Sequence, residues 1–220
     1  ELPRNFAGKF SFGAGAKRIE TMTVEEFREL YEASTGQTRL HLLLMANCGF
    51  YPIDISDLKD KEVEWEAGRI VRKRSKTDQH EDVPTVDYKL WPETFALLKR
   101  YRSGTERALL TKTGRFWVHN RREDGKLVSC NSVESNYTNL KTKVSKAREE
   151  NNLPAFKKPL SLIRKTSASL IESKAEYGRY VPHFLGHSPK SVTDKHYRAP
   201  SGTLFDEILD WLVRTDMFGK

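Results

Sequence analysis

The sequence predicts a mostly helical α+β domain with a small antiparallel sheet inserted among the helices. Two observations support this fold class. Most of the chain places apolar residues at helical spacing between capping signals, whereas short segments at residues 69–76, 82–88 and 116–130 alternate as strands do. The 220 residues are enough to bury a core without disulfides, and they contain no internal repeat.

The first predicted helices have clear sequence boundaries. A T-V-E-E capping box begins a helix at Thr23. Residues 38–48 are apolar on nearly every side, which predicts a buried helix that ends at Gly49 in the left-handed conformation. Pro52 suits the first turn of the next short helix, which should run through Leu58.

The later elements are predicted by similar signals. Residues 108–114 indicate a short strand and a turn, and the Asp-Gly pair within residues 116–130 indicates a hairpin. Further helices are expected from Pro92 to about residue 101, from Asn131 or Ser132 to about residue 151, and at residues 160–172, 175–185, 190–198 and 203–214.

Composition and charge exclude several classes of protein. No stretch approaches the ~20 apolar residues of a membrane span. The two cysteines, Cys48 and Cys130, exclude a disulfide scaffold and a CxxC metal site, so a reducing compartment is expected. The net charge of +8, from 38 Lys and Arg against 30 Asp and Glu, fits a polyanion partner. A basic surface kept for solubility would give the same sum.

The chain divides into an arm and one domain. Residues 1–20 are Gly-rich and basic, which indicates a linker or basic arm, and residues 21–220 carry the predicted elements. The first residues show neither a signal-peptide pattern nor an initiator Met, so we expect Glu1 to begin a fragment.

Chemistry-bearing residues concentrate in the second half of the chain. In the segment HFLGHSPKSVTDKHYR, a helix can end at the glycine, which leaves His187 at a fixed corner ahead of Tyr197. Upstream, Arg164 lies on a predicted helix that is otherwise mostly apolar. In the first half, Lys76 ends a basic strand.

These motifs, taken in order, resemble the catalytic domain of tyrosine recombinases, the phage-integrase family. The matched motifs are a T-x-E-E-F helix, G-F-Y-P-I-D-I-S-D-L, S-K-T in a hairpin, I-R-K-T, L-G-H and a following tyrosine. The resemblance covers roughly residues 21–212. The segment K-S-V-T-D-K-H-Y is similar to that of a bacterial sub-branch of integrase-like proteins.

The resemblance implies a role for each matched residue. Tyr197 corresponds to the nucleophile that attacks a DNA phosphodiester and forms a 3′-phosphotyrosine. Arg164 corresponds to a bidentate phosphate clamp, and Lys76 to the general acid for the departing 5′ oxygen. His187 corresponds to a histidine that hydrogen-bonds the phosphate or assists the tyrosine. The family needs neither a metal nor an organic cofactor, because cationic side chains neutralise the phosphate.

Two positions depart from the family pattern. The family's first arginine falls on Tyr51 here, and a histidine that often precedes the second arginine falls on Ser161. A tyrosine donates one hydrogen bond and no charge, so by analogy with deleted oxyanion donors its presence could cost about 10²–10³ in rate. Arg72, Arg74 or Lys158 could supply the missing charge from a neighbouring element.

Each matched residue also has a structural interpretation. A tyrosine at position 197 could simply pack, and Arg164 could form a buried ion pair. Lys76 could be one more exposed basic residue, and His187 could cap the preceding helix. His196, beside the tyrosine, is more often a core or surface residue, although it could reach the site.

The expected partner is double-stranded DNA. Candidate DNA-binding residues gather in basic segments that should line one concave face, and they are Arg72, Lys73, Arg74, Lys141, Lys143, Lys146, Lys157, Lys158, Lys165 and Lys190. The resemblance implies self-association on DNA through the C-terminal helix at residues 204–213, whereas the simpler alternative is that this helix packs on its own core. It also implies an N-terminal clamp domain outside this chain, a bacterial cytoplasm and no membrane partner.

Three functions therefore remain open from the sequence. The first is the catalytic domain of a site-specific recombinase or integrase. The second is a DNA-binding relative without cleavage activity, acting in DNA architecture or regulation, which Tyr51 favours. The third is an unrelated basic nucleic-acid-binding or protein-interaction module.

Overall fold

The computed structural model describes residues 20–75, 83–123, 126–188 and 200–215. Helices predominate among these residues, as predicted. The elements in chain order are α1 (Val24–Ala33), α2 (Gly36–Cys48), α3 (Pro52–Asp57), β1 (Val63–Glu64), β2 (Arg69–Arg72), β3 (Val86–Lys89), α4 (Pro92–Arg100), β4 (Val118–Glu123), β5 (Lys126–Asn131), α5 (Ser132–Glu150), α6 (Leu162–Ser173), α7 (Val181–Phe184) and α8 (Gly202–Val213).

The first three helices confirm their predicted boundaries. Thr23 caps α1 by accepting a hydrogen bond from the Glu26 amide, and the Glu26 carboxylate accepts one from the Thr23 amide in return. Gly49 ends α2 with a φ of 61°. A Cβ at this glycine would lie 3.0 Å from the Phe184 ring, so both the turn and the close approach require glycine. Pro52 occupies the first turn of α3.

The predicted small antiparallel sheet is present in the order β1-β2-β3. Ile70 pairs with Tyr88 and Arg72 with Val86, and all four side chains are buried. Strands β4 and β5 form a separate antiparallel hairpin, as the alternation at residues 116–130 predicted. Its two turn residues, like the connection from β2 to β3 at residues 76–82, lie outside the described residues.

Helix α2 is the centre of the core. Every residue from Leu40 to Cys48 is buried, and α4, α5, α6 and α8 all pack against this helix. Asn47 links the C-terminal end of α2 to the end of β3. Its side-chain nitrogen donates to the Lys89 carbonyl (3.1 Å), and its side-chain oxygen accepts from the Trp91 amide (2.8 Å). The C-terminal end of α2 is therefore held in a fixed position beside β3.

The C-terminal helix packs within the chain. Its apolar face buries Phe205, Ile208, Leu209 and Leu212, and Arg69 on β2 binds Asp206 through two hydrogen bonds of 2.8 and 2.9 Å. This arrangement is the simpler of the two alternatives that the sequence left open. Self-association through this helix stays a prediction.

Two predicted elements differ from the structure. Residues 108–110 form no strand among the described residues, although the turn from Thr111 to Gly114 is present. The helix predicted at 175–185 is a 3₁₀ turn at Gly178–Tyr180 followed by the single turn of α7. Gly178 lies so close to the end of α6 that a Cβ would approach the Glu172 carbonyl to 3.0 Å. The helix predicted at 190–198 lies outside the described residues.

Candidate active site

Arg164 is the buried cation around which the candidate site is built. It lies in the first turn of α6, and only 5% of its surface is exposed. Its guanidinium donates to the Gly49 carbonyl at the end of α2 and to the Leu185 carbonyl just after α7 (3.0 Å). Helix C-termini carry partial negative charge, so these carbonyls orient the guanidinium without neutralising it as a carboxylate would.

His187 stands beside Arg164. Gly186 ends α7 with a φ of 60°, its amide donates to the His183 carbonyl (2.8 Å), and the His187 amide donates to the Pro182 carbonyl (2.9 Å). These bonds form the left-handed helix termination that the sequence predicted. They hold the His187 ring with its Nε2 atom 3.4 Å from the Arg164 guanidinium. The structure thus brings together two of the predicted site residues.

Tyr51 adjoins two arginines. It precedes α3, and its amide donates to the Asp54 carboxylate (2.8 Å). The centroid of its ring lies 4.4 Å from the guanidinium carbon of Arg164 and 5.1 Å from that of Arg74. Both distances are within the range of cation–π attraction.

Arg72 and Arg74, two positions apart, have different environments. Arg72 is 6% exposed, and its guanidinium donates to the Asp54 carbonyl (2.6 Å), the Ser75 hydroxyl (2.6 Å) and the Lys73 carbonyl (3.1 Å). Arg74 is half-buried, and its Nε atom has no hydrogen-bond partner among the described residues. Arg72 is therefore engaged in holding β2 to α3, whereas Arg74 is the one that faces Tyr51.

These side chains enclose a small cavity of about 10 Å³, about the volume that one water centre needs. It is lined by Gly49, Phe50, Asp54, Arg72, Arg74, Tyr88, Arg164 and Leu185. Burial lowers the pKa of Arg164, the neighbouring Tyr51 opposes this, and the positive charge of Arg74 lowers the pKa further. The pocket is thus lined by three arginines, Arg72, Arg74 and Arg164, with Asp54 as the one acidic residue among the described lining residues.

The remaining candidates differ in burial, and several lie outside the described residues. Ser161 is exposed at the N-terminal end of α6, and Lys158 forms an ion pair with Glu20 (3.0 Å). Lys73 and Lys141 are half-buried, and Lys143, Lys146, Lys157 and Lys165 are exposed. The predicted nucleophile Tyr197, the predicted general acid Lys76, and His196 and Lys190 lie outside the described residues.

A second basic surface, which the sequence analysis did not single out, lies elsewhere. It is a groove of about 860 Å³ between the start of α2, the loop before β4, the β4–β5 hairpin and α5, and we call it the α5 groove. Its basic lining residues are Lys112, Arg115, Arg121 and Lys143, and no carboxylate of the described residues lines it. Of these cations only Lys143 belongs to a predicted basic segment, whereas Lys112, Arg115 and Arg121 lie outside those segments.

Neither a scan against protein-family models nor a search of curated proteins finds a match. A search of solved structures finds XerA recombinase, with a TM-score of 0.50 and 15% identity over 88% of this chain. It also finds a lambda integrase dimer bound to a COC′ core site, with a TM-score of 0.52 and 20% identity over 87% of this chain.

A third similar structure is the Tn1549 transposon integrase in complex with transposon right end DNA. Its TM-score is 0.55, with 12% identity over 91% of this chain. This chain spans 65% of the XerA chain, 64% of the lambda integrase chain and 67% of the Tn1549 integrase chain. The fold is therefore that of a tyrosine recombinase catalytic domain, as the order of motifs predicted.

No helix among the described ranges combines the length and apolar character that crossing a bilayer requires.

Proposed function

We propose that this chain is the catalytic domain of a site-specific DNA recombinase or integrase, which cleaves and rejoins strands through a tyrosine–phosphate intermediate. The observation that carries the proposal is the environment of Arg164. A buried arginine held by backbone carbonyls, with His187 beside it and no carboxylate partner among the described residues, fits a phosphate clamp. This clamp stands where the I-R-K-T and L-G-H motifs of the recombinase fold meet.

The proposed reaction needs neither an oxidant nor a cofactor. The phenolic oxygen of Tyr197 attacks phosphorus while the bond from phosphorus to the 5′ oxygen breaks. The phenol gives up its proton to solvent water, and Lys76 protonates the departing 5′ oxygen. Arg164 and His187 hold the non-bridging oxygens, where negative charge accumulates in the transition state. Attack by a 5′ hydroxyl on the phosphotyrosine reverses these steps and rejoins the strand.

The proposed partner is double-stranded DNA. The exposed lysines of α5 and α6 and the cations of the α5 groove offer charges for backbone phosphates, with no requirement for base readout. The neighbouring structures bound to DNA support this partner. Self-association on DNA through α8 is part of the same proposal.

The second candidate is a DNA-binding relative without cleavage activity. Tyr51, in place of the family's first arginine, is the observation that favours it. A site with one cation fewer would still bind phosphate through Arg164, but it would stabilise the transition state less.

A trapping experiment separates the two candidates. A pool of nicked duplexes of randomised sequence is incubated with the protein, and covalent protein–DNA complexes are recovered and sequenced. Release of the short strand beside the nick traps the phosphotyrosine, so the complex accumulates. The parent should give a covalent complex and Tyr197→Phe none, because the ring remains while the attacking oxygen is lost.

Tyr177→Phe is the matched control. The Tyr177 ring packs edge-on against Trp211 with ring centroids 5.6 Å apart, a contact that phenylalanine preserves. This variant should form the complex as the parent does. If the parent binds duplex DNA yet forms no covalent complex with any sequence of the pool, the proposed cleavage activity is wrong, and the second candidate, a DNA-binding relative without cleavage activity, is supported.

A further inference from the structure

We propose that Arg74 supplies the cation that position 51 lacks, so that Arg74 and Arg164 form a two-arginine clamp for one phosphate group beside the Tyr51 ring. This inference rests on the proposed function, because it names the second phosphate ligand of the same site. The ligand is a phosphodiester of the DNA backbone.

Position is the first argument. The guanidinium carbons of Arg164 and Arg74 lie 4.4 and 5.1 Å from the centroid of the same Tyr51 ring. An arginine side chain at position 51 would itself occupy the space of that ring. The aromatic ring fills this space and attracts both guanidiniums through its π system, so a charge from the segment after β2 takes the place of a charge from the α2–α3 turn.

The lack of a counter-ion is the second argument. Two other half-buried arginines of the described chain pair with carboxylates: Arg69 with Asp206, and Arg148 with Glu29. Neither Arg74 nor Arg164 has such a pair within the described residues, although both line one confined cavity. Asp54 lines the same cavity, but its two carboxylate oxygens accept from the Tyr51 and Ser75 amides and form no ion pair with either arginine. An anion with two free oxygens would relieve the repulsion that remains between the two guanidiniums.

The L-G-H corner gives the third argument. A Cβ at Gly186 would lie 3.3 Å from the Arg74 Cβ, so the corner that carries His187 packs directly on the Arg74 stem. Arg164 contacts the same corner through Leu185 and His187. The corner therefore meets both arginines, and an anion bound by His187 lies within the reach of both.

Asp54 explains why Arg74 rather than Arg72 takes this position. One carboxylate oxygen of Asp54 accepts from the Tyr51 amide (2.8 Å), and the other accepts from the Ser75 amide (3.0 Å). These bonds fix the chain after β2 against the start of α3. Arg72 is buried in this junction, where its Nε, Nη1 and Nη2 atoms each donate a hydrogen bond, and the next arginine, Arg74, lies beside Tyr51.

The test compares Arg74→Gln with Arg100→Gln. Arg100 also stacks on a tyrosine (5.6 Å, Tyr101) but lies on the exposed end of α4, so its loss removes one charge and one stacking contact away from the site. A nicked duplex recovered from the pool is used under single-turnover conditions, and thermal unfolding verifies that each variant folds.

We expect Arg74→Gln to slow covalent-complex formation by about 10²–10³ and Arg100→Gln to leave it unchanged. A methylphosphonate at the cleaved position removes one negative charge from the DNA. With this substrate, Arg74→Gln should lose less rate relative to the parent, which a merely structural role of Arg74 would not produce. Equal rates for the two variants, or a deficit that the methylphosphonate leaves intact, would overturn the proposal.

If the unmodified protein shows no cleavage activity, the proposed function is wrong, but the two-arginine clamp can still be tested. Inorganic phosphate should then raise the unfolding temperature of the parent and of Arg100→Gln, and raise that of Arg74→Gln less. An equal rise in all three proteins would overturn the clamp independently of cleavage.

Discussion

Helix α2 has a basic region at each end, and the two regions differ in construction. At its C-terminal end, backbone carbonyls orient a buried arginine in a cavity of about 10 Å³. Near its N-terminal end, some 20 Å away at 1.5 Å per residue, the α5 groove is open and its cations are mostly exposed. A confined, fixed cation suits charge that develops in a transition state, whereas exposed cations suit the backbone of a long polyanion.

The largest expected effect tests the confined region. Arg164→Lys keeps the positive charge, but a single ammonium cannot replace the planar guanidinium that donates to the Gly49 and Leu185 carbonyls and, in the proposed function, also to a phosphate. We expect covalent-complex formation to fall by about 10²–10³ while DNA affinity changes little. Single-turnover rates and binding isotherms measure the two quantities. A parallel loss of both would indicate that the arginine serves binding alone.

The open region should show the opposite behaviour. The double variant Lys112→Gln and Arg115→Gln removes two exposed cations of the α5 groove. If each contacts one phosphate, the slope of log affinity against log salt concentration should become shallower by about 1.8, with the cleavage rate at saturating protein unchanged.

The control for the open region is Lys99→Gln with Arg100→Gln. These two exposed cations lie at the end of α4 and do not line the groove. This pair should leave the salt slope as it is in the parent. A cleavage rate that falls with the groove variant at saturation would show that the two ends of α2 act together.

The stability of the folded protein should depend on pH through a histidine in α2. His41 is fully buried in α2, its ring packs edge-on against Trp117 with centroids 4.3 Å apart, and burial lowers its pKa to about 3. The unfolded chain, with a histidine pKa near 6.5, therefore binds more protons, so stability falls as the pH drops below about 6.5. Between pH 7 and pH 5, the titration of His41 should lower the free energy of unfolding by about 2 kcal/mol.

His41→Leu should remove that part of the pH dependence. Burial also lowers the pKa of His183, to about 4, so a second contribution of the same sign should remain in the variant. Denaturant unfolding at the two pH values measures the difference. An unchanged pH dependence in His41→Leu would mean that His41 is not buried as a neutral ring.

The fold was predictable where local signals decide it. Thr23, Gly49, Pro52 and Gly186 act within one turn of their own positions, and each lies where the sequence predicted. The helix predicted at 175–185 was wrong because the chain must turn closely past α6 at Gly178, which is a tertiary constraint.

The site was less predictable for the same reason. The order of motifs predicted that Arg164 and His187 lie close together. In the structure they do, because Arg164 binds carbonyls at the ends of α2 and α7 and His187 follows α7. Alternation could not separate Arg72 from Arg74, because residues two apart share a face in an extended strand. Only the contacts of Asp54 and Ser75 distinguish them. The α5 groove depends entirely on the fold, since its cations come from separate elements.

The smallest expected effect concerns Tyr51, where the confined region departs from the family. Tyr51→Arg places a third cation beside Arg74 and Arg164, at the position that the family pattern gives to arginine. Because Arg74 already supplies charge in our proposal, we expect the fold to persist and covalent-complex formation to stay the same or rise, by less than about tenfold, a change of 1.4 kcal/mol or less in activation free energy.

Tyr51→Phe is the matched control, since it keeps the ring that both guanidiniums contact and should keep the parent rate. A parent that forms no complex while Tyr51→Arg forms one would show that the tyrosine disables cleavage and that Arg74 does not compensate. The outcome hardest to reconcile with a two-arginine clamp would be a large gain from Tyr51→Arg that persists when Arg74 is replaced by Gln. The confined region would then need only the arginine that the family pattern expects, and the position of Arg74 would be a matter of packing on the Gly186 corner.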